Sequence, residues 1–261
     1  MSAGTHPAPS DDHAGPPRAA TAPPELACSS SPVHDRDAAP ARGQDRHPHP
    51  GLLIVFEGGD GAGKSTQAGL LADWLARQGL TVRRTFQPGD TMIGRHIRRL
   101  LLDPASSDLA APAEALLYAA DKAQHIHEVV WPALQRGEIV ISDRYVESMV
   151  AYQGAGRKLD PADVAALAWW AVGQLRPDLT VLLDVSVHHG LAARPEPDRL
   201  EQAGHQFHER VRVHFRQLAA DDPDRHVVID ARGSVEQVAT AVQQRVAQLL
   251  AAHPTGPAEG A

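Results

Sequence analysis

A glycine-rich segment at residues 58–65 fits the pattern G-x-x-x-x-G-K-[ST]. It follows an apolar run at residues 52–56 and precedes a helical pattern, which is where phosphate-binding loops occur. Because the glycines let backbone N–H groups turn inward, and a helix N-terminus adds positive potential, such a loop can hold phosphates. We expect Lys64 to reach the β- and γ-phosphates and the Ser65 hydroxyl to ligate Mg²⁺. The segment therefore predicts binding of ATP or another nucleoside triphosphate, with magnesium.

A second pair of charged residues, Asp143 and Arg144, follows the apolar run at residues 139–141. In open α/β folds the carboxyl ends of the strands form the edge at which ligands bind. A carboxylate there can hold the hydration shell of Mg²⁺, and a guanidinium can bind a phosphate through two parallel hydrogen bonds. We therefore expect Asp143 at the metal and Arg144 at a second phosphate. An ion pair that only stabilises the strand end is the alternative.

The elements that must position these residues follow a regular alternation. Five strands are predicted: apolar runs indicate strands at residues 52–56, 139–141, 181–183 and 226–229, and residues 80–86 are interpreted as a further strand. Helical patterns lie between them, and the last one carries Val235, Val238, Val242 and Val246. Strands that alternate with helices indicate a parallel sheet covered on both faces. The prediction is an α/β fold, a doubly wound five-stranded parallel sheet in one domain of about 200 residues.

Composition and charge exclude several other classes of protein. The 261 residues include 25 Lys and Arg against 32 Asp and Glu, for a net charge of −7. No half is strongly basic, which argues against a nucleic-acid-coating protein. No apolar run reaches the roughly 18–20 residues of a membrane helix. The single cysteine, Cys28, excludes an internal disulfide. We expect a soluble, cytoplasmic protein without nucleic-acid or membrane partners.

The composition also suggests where the folded domain begins and ends. Residues 1–50 carry 10 of the 21 prolines and 5 of the 15 histidines, without helical or strand periodicity. Such a stretch cannot bury enough apolar surface to offset the entropy of ordering it. We predict a disordered extension at 1–50, a folded domain at 51–252 and a loose tail at 253–261. Metal binding by the histidines of the extension is the alternative to a solvated tail.

Four segments of the domain resemble bacterial thymidylate (dTMP) kinases, members of the nucleoside monophosphate kinase group of P-loop kinases. The segments occur in the family's order and spacing, at residues 56–66, 143–154, 176–179 and 198–201. The resemblance extends from residue 52 to about residue 250. It implies the reaction ATP + dTMP → ADP + dTDP with Mg²⁺, and a homodimer.

The resemblance implies a binding site for the nucleoside monophosphate that accepts the phosphoryl group. Tyr118 would stack on thymine, and Lys122, which shares a helix face with it, stands where the family has an Arg that reads the base. Gln153 would hydrogen-bond the base edge, Tyr152 would disfavour a 2′-hydroxyl, and Asp60 would bind the 3′-hydroxyl. The full set implied at the acceptor is Asp60, Arg98, Tyr118, Lys122, Arg144, Ser148, Tyr152 and Gln153.

On the ATP side the resemblance implies a lid at about residues 188–201. The phosphate loop has no arginine, so Arg194 of the lid is expected beside Lys64 and Arg144 around the transferring phosphoryl group. Arg199 is expected at ATP, with a structural pairing to Asp198 or Glu201 as the alternative. The full set implied at ATP is Gly58, Gly59, Asp60, Gly61, Ala62, Gly63, Lys64, Ser65, Thr66 and Arg199.

Three positions on the acceptor side depart from the family pattern. Phe86 replaces an Arg, Asp90 replaces a Gly, and Lys122 replaces the base-reading Arg. A lysine cannot reproduce the planar two-donor contact of a guanidinium. These departures keep two other readings open: a kinase for another or a modified pyrimidine nucleoside monophosphate, or a non-catalytic ATP-binding relative. A deoxynucleoside kinase is a further alternative, against which the residues at 143–145 and 152–153 argue.

Overall fold

The computed structural model describes residues 47–187, 199–200 and 203–253. Contacts divide the chain into two units, Met1–Arg42 and Gly43–Ala261, and all the described residues belong to the second. The predicted extension, apart from residues 47–50, lies outside the described residues, as do most of the predicted lid and the tail from residue 254. Arg194 therefore lies outside them as well.

Five parallel strands form one sheet, as the sequence predicts. They are β1 (Leu52–Glu57), β2 (Val82–Phe86), β3 (Ile139–Asp143), β4 (Leu179–Asp184) and β5 (His226–Asp230). Their order across the sheet is β2-β3-β1-β4-β5. The chain places β2 and β3 on one side of β1, and β4 and β5 on the other, so the strand order reverses at β1. A crevice at such a switch point is where open α/β sheets bind ligands.

Helices connect the strands and cover the sheet. The α-helices are α1 (Lys64–Ala76), α2 (Met92–Leu102), α3 (Ala111–His125), α4 (Trp131–Gln135), α5 (Val146–Met149), α6 (Pro161–Ala171), α7 (His205–Asp221) and α8 (Val235–Ala252). Segments of π-helix follow α3 at Ile126–Val130 and α5 at Val150–Gly156. No helix in the part of the chain that the structure describes is long and apolar enough to cross a membrane.

Each face of the sheet packs against its own apolar core. Side chains of a strand alternate between the faces, so Leu53 and Val55 of β1 enter one core while Leu52, Ile54 and Phe56 enter the other. All five are fully buried. Burial on both faces explains why β1 is a continuous apolar run instead of an alternating one. The two cores fix β1 rigidly, and the phosphate loop begins directly after it.

Candidate active site

One cavity of about 530 Å³ lies along the carboxyl edge of the sheet. That volume is within the range of sites that bind small molecules. The lining includes all eight residues expected at the acceptor, which are Asp60, Arg98, Tyr118, Lys122, Arg144, Ser148, Tyr152 and Gln153. It also includes Lys64, Ser65 and Asp143. The fold thus brings the phosphate loop and the expected acceptor residues to one site.

The loop between β1 and α1 has the backbone that phosphate binding needs. Gly58, Gly61 and Gly63 all have positive φ, at 135°, 74° and 85°. A Cβ on Gly58 would lie 2.4 Å from the carbonyl oxygen of Leu183, so the β1–β4 approach requires glycine there. The Lys64 ammonium donates to the carbonyl oxygens of Gly58 and Gly59 at 3.0 and 2.7 Å. Burial, together with the charge of Arg144, lowers the pKa of Lys64 to about 8.

Ser65 and Asp143 supply the two protein oxygens expected at the metal. The Ser65 hydroxyl donates to Oδ2 of Asp143 at 2.5 Å. The two residues come together because β3 lies next to β1. Asp143 at the end of β3 is paired with Phe56 of β1, just before the phosphate loop that leads to Ser65. Mg²⁺ takes hard oxygen ligands and is commonly held by one or two protein groups together with phosphates. A hydroxyl beside a carboxylate fits that chemistry.

Arg144 is held in place from several sides. Its φ of 73° lies in the left-handed region, and its N–H donates to the carbonyl oxygen of Phe56 at 2.9 Å. Its guanidinium donates to Asp60 Oδ1 at 2.5 Å and to Ser148 Oγ at 3.0 Å. The Ser148 hydroxyl in turn donates to Glu57 Oε2 at 2.5 Å. These contacts hold a partly buried cation in the lining of the cavity.

Glu57, which sequence reasoning missed, organises the turn after β3. Its Oε1 accepts from the backbone N–H groups of Tyr145 and Ser148 at 2.7 and 3.0 Å. Burial, and the nearby charge of Glu147, raise the pKa of Glu57. The signal that could have found it is a carboxylate at the end of an otherwise apolar strand.

Asp60 is the carboxylate within the phosphate loop, and two other site residues hold it. Oδ2 of Asp60 accepts from the Tyr152 hydroxyl at 2.7 Å, while Oδ1 faces Arg144. Although burial disfavours its charged form, the cations Arg144 and Lys64 and the bond from Tyr152 lower the pKa of Asp60 to about 2. Asp60 is therefore ionised at neutral pH, and its charge is compensated within the site.

The far end of the cavity is the end expected to hold the base. Tyr118 and Lys122 of α3 line it together with Gln153. Gln153 Nε2 donates to Glu114 Oε1 at 2.9 Å, which makes Oε1 of Gln153 the atom left to accept from a ligand. The ammonium of Lys122 donates to Gln87 Oε1 at 2.7 Å and to the carbonyl oxygen of Tyr145 at 2.6 Å. Burial lowers the pKa of Lys122 to about 8.

Arg199 contacts a buried carboxylate that the sequence did not suggest. Its guanidinium donates to Glu114 and, at 2.8 Å, to the carbonyl oxygen of Leu101. Arg157 donates to the same carboxylate at 3.1 and 3.2 Å. Among the residues that the structure describes, Arg199 thus pairs with Glu114, and it is not among the residues that line the cavity. The expected contact of Arg199 with ATP stays a prediction. Glu114 is fully buried, so it needs these two cations more than a surface carboxylate would.

The departure at Phe86 changes how cations are arranged at the cavity wall. The Arg98 guanidinium lies 5.8 Å from the centre of the Phe86 ring and donates to the carbonyl oxygen of Pro88 at 2.7 Å. Arg84, which sequence reasoning missed, also lines the cavity. Two cations therefore remain on this wall, although position 86 carries none.

Comparison with known proteins identifies close similarity over the whole domain. The family model for thymidylate kinase matches residues 56–242. The thymidylate kinase of Cutibacterium acnes is 54% identical over 200 residues, which are 77% of this chain and 98% of that protein. The thymidylate kinase of Leifsonia xyli is 51% identical over 201 residues, 76% of this chain and 95% of that protein. The crystal structure of thymidylate kinase from Ehrlichia chaffeensis aligns with a TM-score of 0.64 at 29% identity, covering 75% of this chain and 98% of that one.

Proposed function

The chain belongs to the thymidylate kinase family and phosphorylates dTMP to dTDP, and we propose that ATP is the donor and that the cavity at the carboxyl edge of the sheet binds both nucleotides. The observation that carries the proposal is that one cavity contains the phosphate-loop Lys64 and Ser65 together with all eight expected acceptor residues. The relatives give no support to a different acceptor or to a non-catalytic protein, the readings that Phe86, Asp90 and Lys122 kept open.

On the donor side, the backbone of residues 58–66 would surround the β- and γ-phosphates of ATP, with the N-terminus of α1 behind them. Lys64 would turn from the carbonyl oxygens of Gly58 and Gly59 towards the γ-phosphate. Ser65 and Asp143 would hold Mg²⁺, directly or through its waters, and the metal supplies neutralising charge to the phosphate oxygens when bound.

On the acceptor side, Arg144 would bind the phosphate of dTMP, and Asp60 would accept from the 3′-hydroxyl of the sugar. Tyr118 would stack on the thymine ring, while Lys122 and Gln153 contact its edge. A thymine ring presents a carbonyl oxygen next to an N–H group. Lys122 offers a donor and Oε1 of Gln153 an acceptor, so the pair matches thymine and opposes cytosine, which reverses both groups.

Transfer would rest on positioning and charge. The acceptor phosphate oxygen is already a nucleophile, so the reaction requires no strong general base. Lys64, which is buried, and Arg144, whose side chain is partly buried, would surround the transferring group with fixed positive charge. Arg194 remains a proposal for a further cation, since it lies outside the described residues.

We also propose that the protein is a cytoplasmic homodimer. The large apolar side chains that are exposed include Leu100 on α2, Leu116 on α3 and Trp170 on α6. Exposed apolar groups of this size favour burial against a partner, and a second copy is the partner that the family suggests. Sedimentation equilibrium measures the mass directly, and a monomer at micromolar concentration would contradict this proposal.

Ligand-induced thermal stabilisation tests the proposed site. We expect ATP with Mg²⁺, and separately dTMP, to raise the melting temperature, because each binds the folded state. Arg144→Gln is expected to abolish the shift from dTMP and to retain most of the shift from ATP. If the folded variant lost the shifts from both nucleotides, or lost neither shift, the division of the cavity into donor and acceptor sides would be contradicted.

A further inference from the structure

A continuous relay of hydrogen bonds leads from the expected base end of the cavity to Asp90. Lys122 Nζ donates to Gln87 Oε1 at 2.7 Å, and Gln87 Nε2 lies 2.7 Å from Nδ1 of His125. Nε2 of His125 contacts Thr85 Oγ1, which donates to Asp90 Oδ2 at 2.6 Å. We call these five residues the Lys122-to-Asp90 relay. It joins two of the positions that depart from the family pattern, which are Asp90 and Lys122.

The two ends of the relay fix the direction of every hydrogen bond within it. An ammonium can only donate and an ionised carboxylate can only accept. Gln87 must therefore turn its carbonyl oxygen to Lys122 and its amide N–H to Nδ1 of His125. His125 then carries its proton on Nε2 and donates to Thr85. Burial lowers the pKa of His125 to about 3, so the imidazole is neutral near pH 7, as this arrangement requires.

The relay leaves Lys122 with a defined orientation. Two of its three N–H groups are used, one on Gln87 and one on the carbonyl oxygen of Tyr145 at 2.6 Å. No residue in the described ranges accepts from the third. Since the Lys122 side chain is 2% exposed and lines the cavity beside Tyr118 and Gln153, this last N–H is the one available to a bound ligand.

We propose that Asp90, Thr85 and His125 are positioning residues that act through Gln87 to hold the Lys122 ammonium where it donates to a carbonyl oxygen of the acceptor's pyrimidine ring. This inference rests on the proposed function of the cavity. Asp90 holds the far end of the relay, because its carboxylate accepts from the Thr85 hydroxyl.

Loss of the Asp90 carboxylate would remove the acceptor of the Thr85 hydroxyl. Lys122 can only donate, so the relay would keep its direction, but Thr85 would hold the His125 imidazole less firmly. His125 would in turn hold Gln87 less firmly, so Lys122 would move and its contact to the base would weaken.

A second possible role for Asp90 predicts the opposite effect of its removal on dTMP binding. Asp90 lines the cavity, and a carboxylate near the acceptor phosphate repels it. If that repulsion were its main effect, removal of the charge would strengthen dTMP binding. If the relay dominates, removal weakens dTMP binding, and a break in the middle of the relay has the same effect.

Steady-state kinetics of single and double variants separate the two roles. We expect Asp90→Ala and Thr85→Val each to raise the KM for dTMP about 10-fold, the typical cost of one hydrogen bond to a charged group, and to change the KM for ATP less than about twofold. Thr85→Ser keeps the hydroxyl and should restore the wild-type KM. Asp73→Ala, on the exposed side of α1, is the matched control.

A double-variant cycle tests whether Asp90 acts through Lys122. In a Lys122→Met background we expect Asp90→Ala to change the KM for dTMP by less than about twofold, because the group that the relay positions is gone. Multiplicative effects in the double variant, or a lower KM in Asp90→Ala, would overturn the inference and leave the proposed function standing. A wild-type protein without turnover on dTMP would instead overturn both. Thermal melts show whether each variant is folded.

Discussion

The Arg144 guanidinium and the Asp60 carboxylate meet at 2.5 Å, where the turn after β3 crosses the phosphate loop. Both side chains are less than one fifth exposed, so solvent screens the pair only weakly. The pair couples the two halves of the site: Arg144 faces the expected acceptor phosphate, and Asp60 faces the expected sugar. The position of each charge therefore depends on the other.

Asp60→Asn tests that coupling. Without the carboxylate, Arg144 loses its closest acceptor and Tyr152 loses a charged partner, so we expect the KM for dTMP to rise about 10- to 100-fold. Asp222→Asn, which removes a carboxylate from a more exposed pair with Arg225, should change it less than about twofold. Equal effects of the two substitutions would show that the Arg144–Asp60 contact has no special role.

Lys64→Ala tests the phosphate loop. We expect a folded protein whose turnover falls by at least about 10²-fold, because a buried cation at the transferring phosphate stabilises the transition state. Arg77→Ala, which removes an exposed cation just after α1, is the control and should leave turnover unchanged. Near-normal turnover of Lys64→Ala, measured as ADP release, would contradict the assignment of the site.

The lowered pKa of Lys122 predicts a pH dependence. Because the folded protein releases this proton at about pH 8, the free enzyme loses the ammonium as the pH rises through that value. kcat/KM for dTMP reports ionisations of the free enzyme, so it should fall above about pH 8. Lys122→Arg should remove the part of this fall that is due to position 122, because a guanidinium stays charged there. An unchanged profile in Lys122→Arg would show that another group titrates.

Glu114→Gln tests the buried centre that holds Gln153. The substitution leaves the guanidinium groups of Arg157 and Arg199 without their carboxylate, which we expect to lower the free energy of unfolding by about 3–5 kcal/mol. Glu138→Gln removes the partner of the largely exposed Arg136 and should cost less than about 1 kcal/mol. Urea unfolding measures both. A small loss in Glu114→Gln would contradict a structural role for this cluster.

Features with a local signal could be predicted from the sequence. Apolar runs located β1, β3, β4 and β5, residues 80–86 were also interpreted as a strand, and the spacing of glycines, lysine and serine at residues 58–65 was enough to identify the phosphate loop. The resemblance, read residue by residue, named eight acceptor positions, and all eight line the cavity. Their individual roles remain proposals.

Contacts between residues far apart in the chain left no such signal. Lys122 and Gln87 are 35 positions apart, Gln153 and Glu114 are 39 apart, and only the fold brings each pair together. Arg199 shows the same limit, because its partner Glu114 is 85 positions away, whereas the sequence suggested ATP or neighbouring residues. A buried polar side chain takes whichever partner the packing presents, and the packing is a property of the whole domain.

The most direct test of the central claim is ADP release by the purified full-length protein with ATP and Mg²⁺, comparing dTMP with dUMP, dCMP and 5-substituted dUMP. We expect turnover on dTMP in the range of roughly 1–100 s⁻¹ that is typical of kinases, and much weaker turnover on dCMP, whose base opposes the groups of Lys122 and Gln153. Turnover on another monophosphate but not on dTMP, or on none, would contradict the account.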